Sequence, residues 1–256
     1  MNQTIDDFFQ IRNSEGQWRR IYITGGIAAI IALTVLLADV VIGNITGGNL
    51  SALPQTAIGR FEQFHDSKFM GLYNLDFLNI IVQIILLPTY FALYGVHRDV
   101  NKAWGLLAMV IFLFGSAIMV ANNTALSMLE LSSKYFSSTS EPQKLLYAAA
   151  GESMLAIGAH GSPGIFIGFF IPNIANLVIS FVMLKGRIFS RINAWAGITG
   201  SLLMLIYVIL VNFGTGAESN ATAFAMPGGL LLMTWMIMFT IRLLRMGRSV
   251  SKEVEK

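Results

Sequence analysis

The chain has no cysteine, only three histidines, and few charges for its 256 residues, 12% in all. The missing cysteine excludes disulfides, thiolate nucleophiles and thiolate-ligated metals. Scarce charge beside 55% hydrophobic residues excludes a water-soluble domain, because such a chain lacks the polar surface to cover its own core. Gly-rich phosphate loops, GxSxG, HExxH and intramembrane Gly-Asp pairs are missing too, so no familiar catalytic signature is present. The net charge of +3 needs no nucleic acid, since basic residues at the ends of membrane spans account for it.

What is present is a set of six apolar runs. Each has the length that crosses a hydrocarbon core, roughly 20 residues at about 1.5 Å per residue. They fall at about 21–43, 74–96, 103–129, 164–184, 192–213 and 226–244, leaving 1–20 and 245–256 as polar tails. In lipid every backbone amide must find its partner inside the segment, and runs this long do so as helices rather than as the short alternating strands of a barrel. The expected fold is therefore all-α, a single integral membrane domain over 1–256 built as a bundle of six transmembrane helices. The first run is too long for the apolar core of a signal peptide and follows a polar leader, so it reads as a true span.

Lysine and arginine set the expected orientation. Arg12, Arg19, Arg20, Arg98, Lys102, Lys185, Arg187, Arg191, Arg242, Arg245, Arg248, Lys252 and Lys256 fall on one side of the bundle, against Arg60, Lys68, Lys134 and Lys144 on the other. Positive loops stay inside, so both termini are expected in the cytoplasm of a cell-membrane protein. Trp18, Trp104 and Trp195 then lie at the inner interface, where indoles commonly sit. The long loops 44–73 and 130–163 lie outside. In the second, Pro142 opens a run of good helix formers, which predicts an extra outer helix near 143–159.

Polar side chains within the spans gather towards the outer side. Asp39, Asp76, Asn122, Asn123, Ser127, Glu130 and Asn212 all fall in the outer third or at its boundary. Asn123, Ser127 and Glu130 share one helix face by the i, i+4, i+7 rule. Asp76, Asn79 and Gln83 are spaced i, i+3, i+7, and Asn173, Asn176 and Ser180 repeat that spacing in a faint two-helix repeat. Most such residues in membrane proteins simply bond helices together. Ionisable ones more often mark a site, and Asp76 heads its face. The first functional expectation is an outward-facing polar cavity that binds or passes a small solute or cation, lined by Asp76, Asn79, Asn123, Glu130, Asn173 and Asn176.

Two other readings stay open. A membrane-embedded, metal-dependent hydrolase would gather His65, Asp76, Glu152 and His160 at the outer mouth. Glu152 and His160 alone cannot hold one metal, because eight helical residues put them about 12 Å apart along the axis. A zinc site of all three histidines is ruled out by topology, since His97 falls at the inner end of the second span. The third reading is an accessory subunit with no site of its own. No cofactor is named by any pattern, and the bilayer is the one partner that composition requires.

The stretch "LVISFVMLKGRIFSRINAWAGITGSLLMLIYVI", with "YNLDFLNIIVQIILLPTYFALYGV" upstream, resembles the prokaryotic six-helix membrane proteins grouped as domain of unknown function 4386. The resemblance covers most of residues 20–213 and rests on the basic "KGRIFSR" turn and the "LD" opening of the second span. It implies an integral membrane protein and brings no activity or catalytic residue.

Overall fold

The computed structural model describes residues 2–45, 53–214 and 218–249. Lys252 and Lys256, counted above among the basic residues, and the C-terminal tail from 250 onwards lie outside the described residues. All regular structure described is helical: α1 (Asn2–Ile45), α2 (Ala57–Asp66), α3 (Lys68–Tyr73), α4 (Phe77–Ile85), α5 (Leu87–His97), α6 (Lys102–Asn122), α7 (Ala125–Ser137), α8 (Glu141–Gly158), α9 (Pro163–Gly186), α10 (Arg191–Phe213) and α11 (Glu218–Ser249). Among the described residues six stretches are long and apolar enough to cross a membrane, and together they make a multi-pass bundle.

The spanning helices close into a ring in which α1 packs on α5, α5 on α6, α6 on α9, α9 on α10, α10 on α11 and α11 back on α1. The ring's core holds Tyr90, Phe112, Ile179, Met183, Trp235 and Phe239, all buried. Small residues let the helices approach: a Cβ on Gly25 would meet the Pro88 carbonyl at 2.9 Å, and Thr89 Oγ1 bonds the Gly25 carbonyl at 2.8 Å. Outward-facing Ile30, Leu107, Phe114, Ile209 and Leu230 form the apolar belt that lipid would cover.

The two ends of the ring differ. Both described ends of the chain lie at one, where Arg19 Nε donates to the Gly247 carbonyl at 2.6 Å and the Arg98 guanidinium stands 4.4 Å over the Trp18 ring. This is the basic end. At the other, loop-rich end, α2, α3, α7 and α8 enclose a second, smaller core of Phe61, Phe64, Leu75, Met128 and Leu155. The helix expected near 143–159 is α8, with a proline in its first turn as the sequence suggested.

Two breaks depart from the expected uninterrupted spans. The second divides at Leu86, because Pro88 has no amide to give and its ring crowds the preceding turn. The run expected to continue to 129 ends as α6 at Asn122, and α7 starts afresh at Ala125. Asn123 turns there to cap α7, accepting the Ala125 amide at 2.9 Å, so the shared face of Asn123, Ser127 and Glu130 does not form. A further break, at 159–162, falls where the outer helix was expected to end and separates α8 from α9: Gly161 takes a left-handed φ of 83°, Ser162 caps α9 and Pro163 opens it.

Candidate functional site

Those breaks bring a carboxylate and a histidine together at the loop-rich end. Asp76 occupies the last position of the turn between α3 and α4, with φ 59° and ψ 25°. This left-handed conformation is costly for most side chains and tolerated by aspartate, whose short polar group bonds locally. Its Oδ1 accepts from Asn79 Nδ2 at 3.0 Å, one turn along α4. Its Oδ2 faces His160 Nδ1 at 3.4 Å, and His160 Nε2 faces the Tyr207 hydroxyl on α10 at 3.5 Å. His160 can reach inward because the α8–α9 break turns the chain at Gly161.

Asp76, Asn79, His160 and Tyr207 form one wall of a cavity of about 330 Å³ between the ends of α1, α4, α9, α10 and α11. Asp39 on α1, Tyr73 and Asn212 complete its polar surface, and Ile165, Phe169 and Val208 its apolar one. The Tyr73 hydroxyl donates to the Asp39 backbone carbonyl at 3.0 Å. Burial, reinforced by the Asp39 and Asp76 carboxylates, pushes the Tyr73 phenol up to about 12, so it stays neutral and a donor. The Asn212 amide nitrogen bonds the Val208 carbonyl at 2.8 Å, while its Oδ1 is buried with no partner among the described residues.

Arg60 of α2 does not line the cavity and is 3% exposed. It donates through one terminal nitrogen to Gln63 Oε1 at 3.2 Å, while its Nε has no partner among the described residues. Burial pulls the guanidinium below its ordinary range and the Asp76 carboxylate draws it back. Asp76 thus acts electrostatically on a buried cation outside the cavity lining as well as on the histidine it faces. Asp39, on the opposite helix, has no ion pair among the described residues.

Of the six residues expected to line a cavity, Asp76 and Asn79 do. The other four meet different partners. Asn123 donates to the Leu75 carbonyl at 2.6 Å and so braces the turn that carries Asp76. Glu130 is exposed and pairs with Lys134 at 3.1 Å. Asn173 bonds the Phe169 carbonyl of its own helix at 2.9 Å, and Asn176 takes the Tyr90 hydroxyl, tying α9 to α5. The four residues of the metal-site reading are not gathered either. Asp76 and His160 meet, but Glu152 accepts the Ala57 amide at 2.7 Å, and His65 stacks on Phe136 at 4.3 Å. Among the described residues, no group of three histidine or carboxylate side chains converges as a metal site would require. Sequence reasoning singled out neither Tyr73, Asn74 and Tyr207 nor the apolar lining, Phe169 included. A tyrosine in or beside a span carries no signal of its own, since most such phenols serve helix packing.

Residues 21–247 match the family described as Domain of unknown function (DUF4386). The chain belongs to this family. No curated protein and no solved structure matches it. The DUF4386 match runs past the stretch that carried the resemblance and takes in the sixth span, so the ring, the smaller core and every lining residue named above fall within the family's domain.

Proposed function

We propose that this DUF4386 protein binds a small cationic solute, of the amine or quaternary ammonium kind, in the cavity at its loop-rich end. The observation that carries the reading is the lining itself. Two carboxylates, Asp39 and Asp76, and the carbonyl-bearing Asn79 and Asn212 share a small enclosure with the rings of Tyr73, Phe169 and Tyr207. Carboxylates and aromatic faces together are the chemistry that desolvates and holds an organic cation. A volume of about 330 Å³ suits a solute of a few heavy atoms rather than a lipid or a peptide. With the basic end in the cytoplasm, as the lysine and arginine distribution favours, the cavity opens to the outside.

The test is titration of the purified full chain, in detergent, with tetramethylammonium and with putrescine, read by native mass spectrometry and calorimetry. At least one probe is expected to bind the wild type, with Asp76→Asn and Asp39→Asn each weakening it tenfold or more. Asparagine tolerates the left-handed backbone at 76, so the first variant keeps the turn while removing charge. If neither probe binds, the cation reading fails; if D76N binds as well as wild type, Asp76 is not part of the site.

A further inference from the structure

A second recess lies at the opposite, basic end. The turn between α9 and α10 and the last turns of α11 enclose about 370 Å³, and three arginines line it: Arg187, Arg242 and Arg245. Arg242 and Arg245 are three apart on α11 and so share a face. All three are exposed, and among the described residues no carboxylate forms an ion pair with any of them, so their charge is open to an anion that approaches from outside. The recess also receives the start of α10, a helix of 23 residues whose first free amides add a positive end. Ser190 accepts the Asn193 amide there at 3.1 Å, leaving neighbouring first-turn amides without a helical partner.

The backbone presents one of these charges at some cost. Arg187 ends α9 in the left-handed conformation, φ 55°, its amide bonded to the Met183 carbonyl at 3.1 Å. Glycine fills such a position most cheaply, yet here Gly186 keeps the helix and an arginine takes the left-handed site. The remaining wall is apolar, with Phe189, Met238 and Ile241 facing the same volume. A free inorganic anion gains nothing from that wall. A molecule with a phosphate at one end and hydrocarbon at the other uses both, and spanning helices end where such molecules put their headgroups.

We propose that this recess holds the phosphate headgroup of an anionic phospholipid, with Arg187, Arg242 and Arg245 as its ligands and its acyl chains against α11. Arginine suits the task because its planar fork meets phosphate oxygens in pairs. The site is separate from the cavity at the other end and does not depend on what that cavity binds.

The experiment is native mass spectrometry of the full chain in detergent, with phosphatidylglycerol or phosphatidylcholine added at equal concentration. The wild type is expected to retain one phosphatidylglycerol in clear excess over phosphatidylcholine. The triple variant R187Q/R242Q/R245Q should lower that retention tenfold or more, while Lys102→Gln with Lys185→Gln, which removes charge elsewhere at the same end, should leave it unchanged. Equal retention by wild type and triple variant overturns the proposal, as does an equal loss in the lysine control. Displacement of the lipid by inorganic phosphate at the same concentration also overturns it, in favour of a soluble anion. The single variant Arg242→Gln covers a triple variant that does not fold: a threefold or larger loss supports the site, and no loss overturns it.

Discussion

Asp76 combines a strained backbone with two side-chain neighbours, and its substitutions should separate those roles. Asparagine keeps the short polar group that a left-handed residue needs, whereas leucine meets the steric cost of that region in full, about 1–2 kcal/mol. Both variants lose the charge that faces Arg60 and His160, so the strain is read from their difference: thermal unfolding should show D76L less stable than D76N by about 1–2 kcal/mol, and equal stability of the two would mean the turn relaxes. Tyr73 supports a pH prediction. Its phenol ionises near 10 in the unfolded chain and near 12 in the folded one, so above pH 10 the unfolded state sheds a proton that the folded state keeps. Stability is then whole below pH 10 and declines as pH rises towards 12. Tyr73→Phe should flatten that decline relative to wild type, measured as denaturation midpoint against pH, and a parallel decline in both proteins would count against it.

At the scale of elements, the loop-rich end is held by contacts between short helices rather than by long apolar stripes. Glu152 is one of the four candidates of the metal-site reading. It instead accepts the first amide of α2, across 95 residues of chain. A carboxylate at a helix start satisfies an amide that has no helical partner and complements the positive helix end, worth about 1 kcal/mol. Glu152→Ala should raise amide exchange across residues 57–66 roughly fivefold while leaving the spanning helices unchanged, with Glu152→Gln intermediate. Unchanged exchange in α2 would show that Thr56, which caps the same helix, suffices. The break between α6 and α7 teaches a related lesson. Nothing at Asn123–Thr124 is a proline or glycine, so helical periodicity ran on through it to 129. Asn123 gives up its place on that face because its amide group serves both the Leu75 carbonyl and the Ala125 amide.

For the molecule as a whole, the sidedness of the ring decides whether the cavity faces the environment and the arginine recess the cytoplasm. The absence of native cysteine makes this directly measurable. Thr139→Cys, at the loop-rich end, should react with a membrane-impermeant maleimide in intact cells, and Lys102→Cys, at the basic end, only after lysis. The reverse pattern would invert the molecule. The solvent, the helical class, the six apolar spans, the extra helix before the fourth and the uneven spread of charge were all legible in the amino-acid order, because each depends on a local window of about 20 residues and on what hydrocarbon tolerates. That order also singled out Asp76, since a carboxylate near a span is conspicuous at any depth. Which polar groups meet was not legible there and is set by packing. Asp76 and His160 are 84 residues apart, and Tyr207 follows His160 by another 47. Their meeting depends on the order of helices around the ring and on the rotation of each about its axis. Those are set by packing between helices, such as the fit of Gly25 against Pro88, and no single helix contains that information.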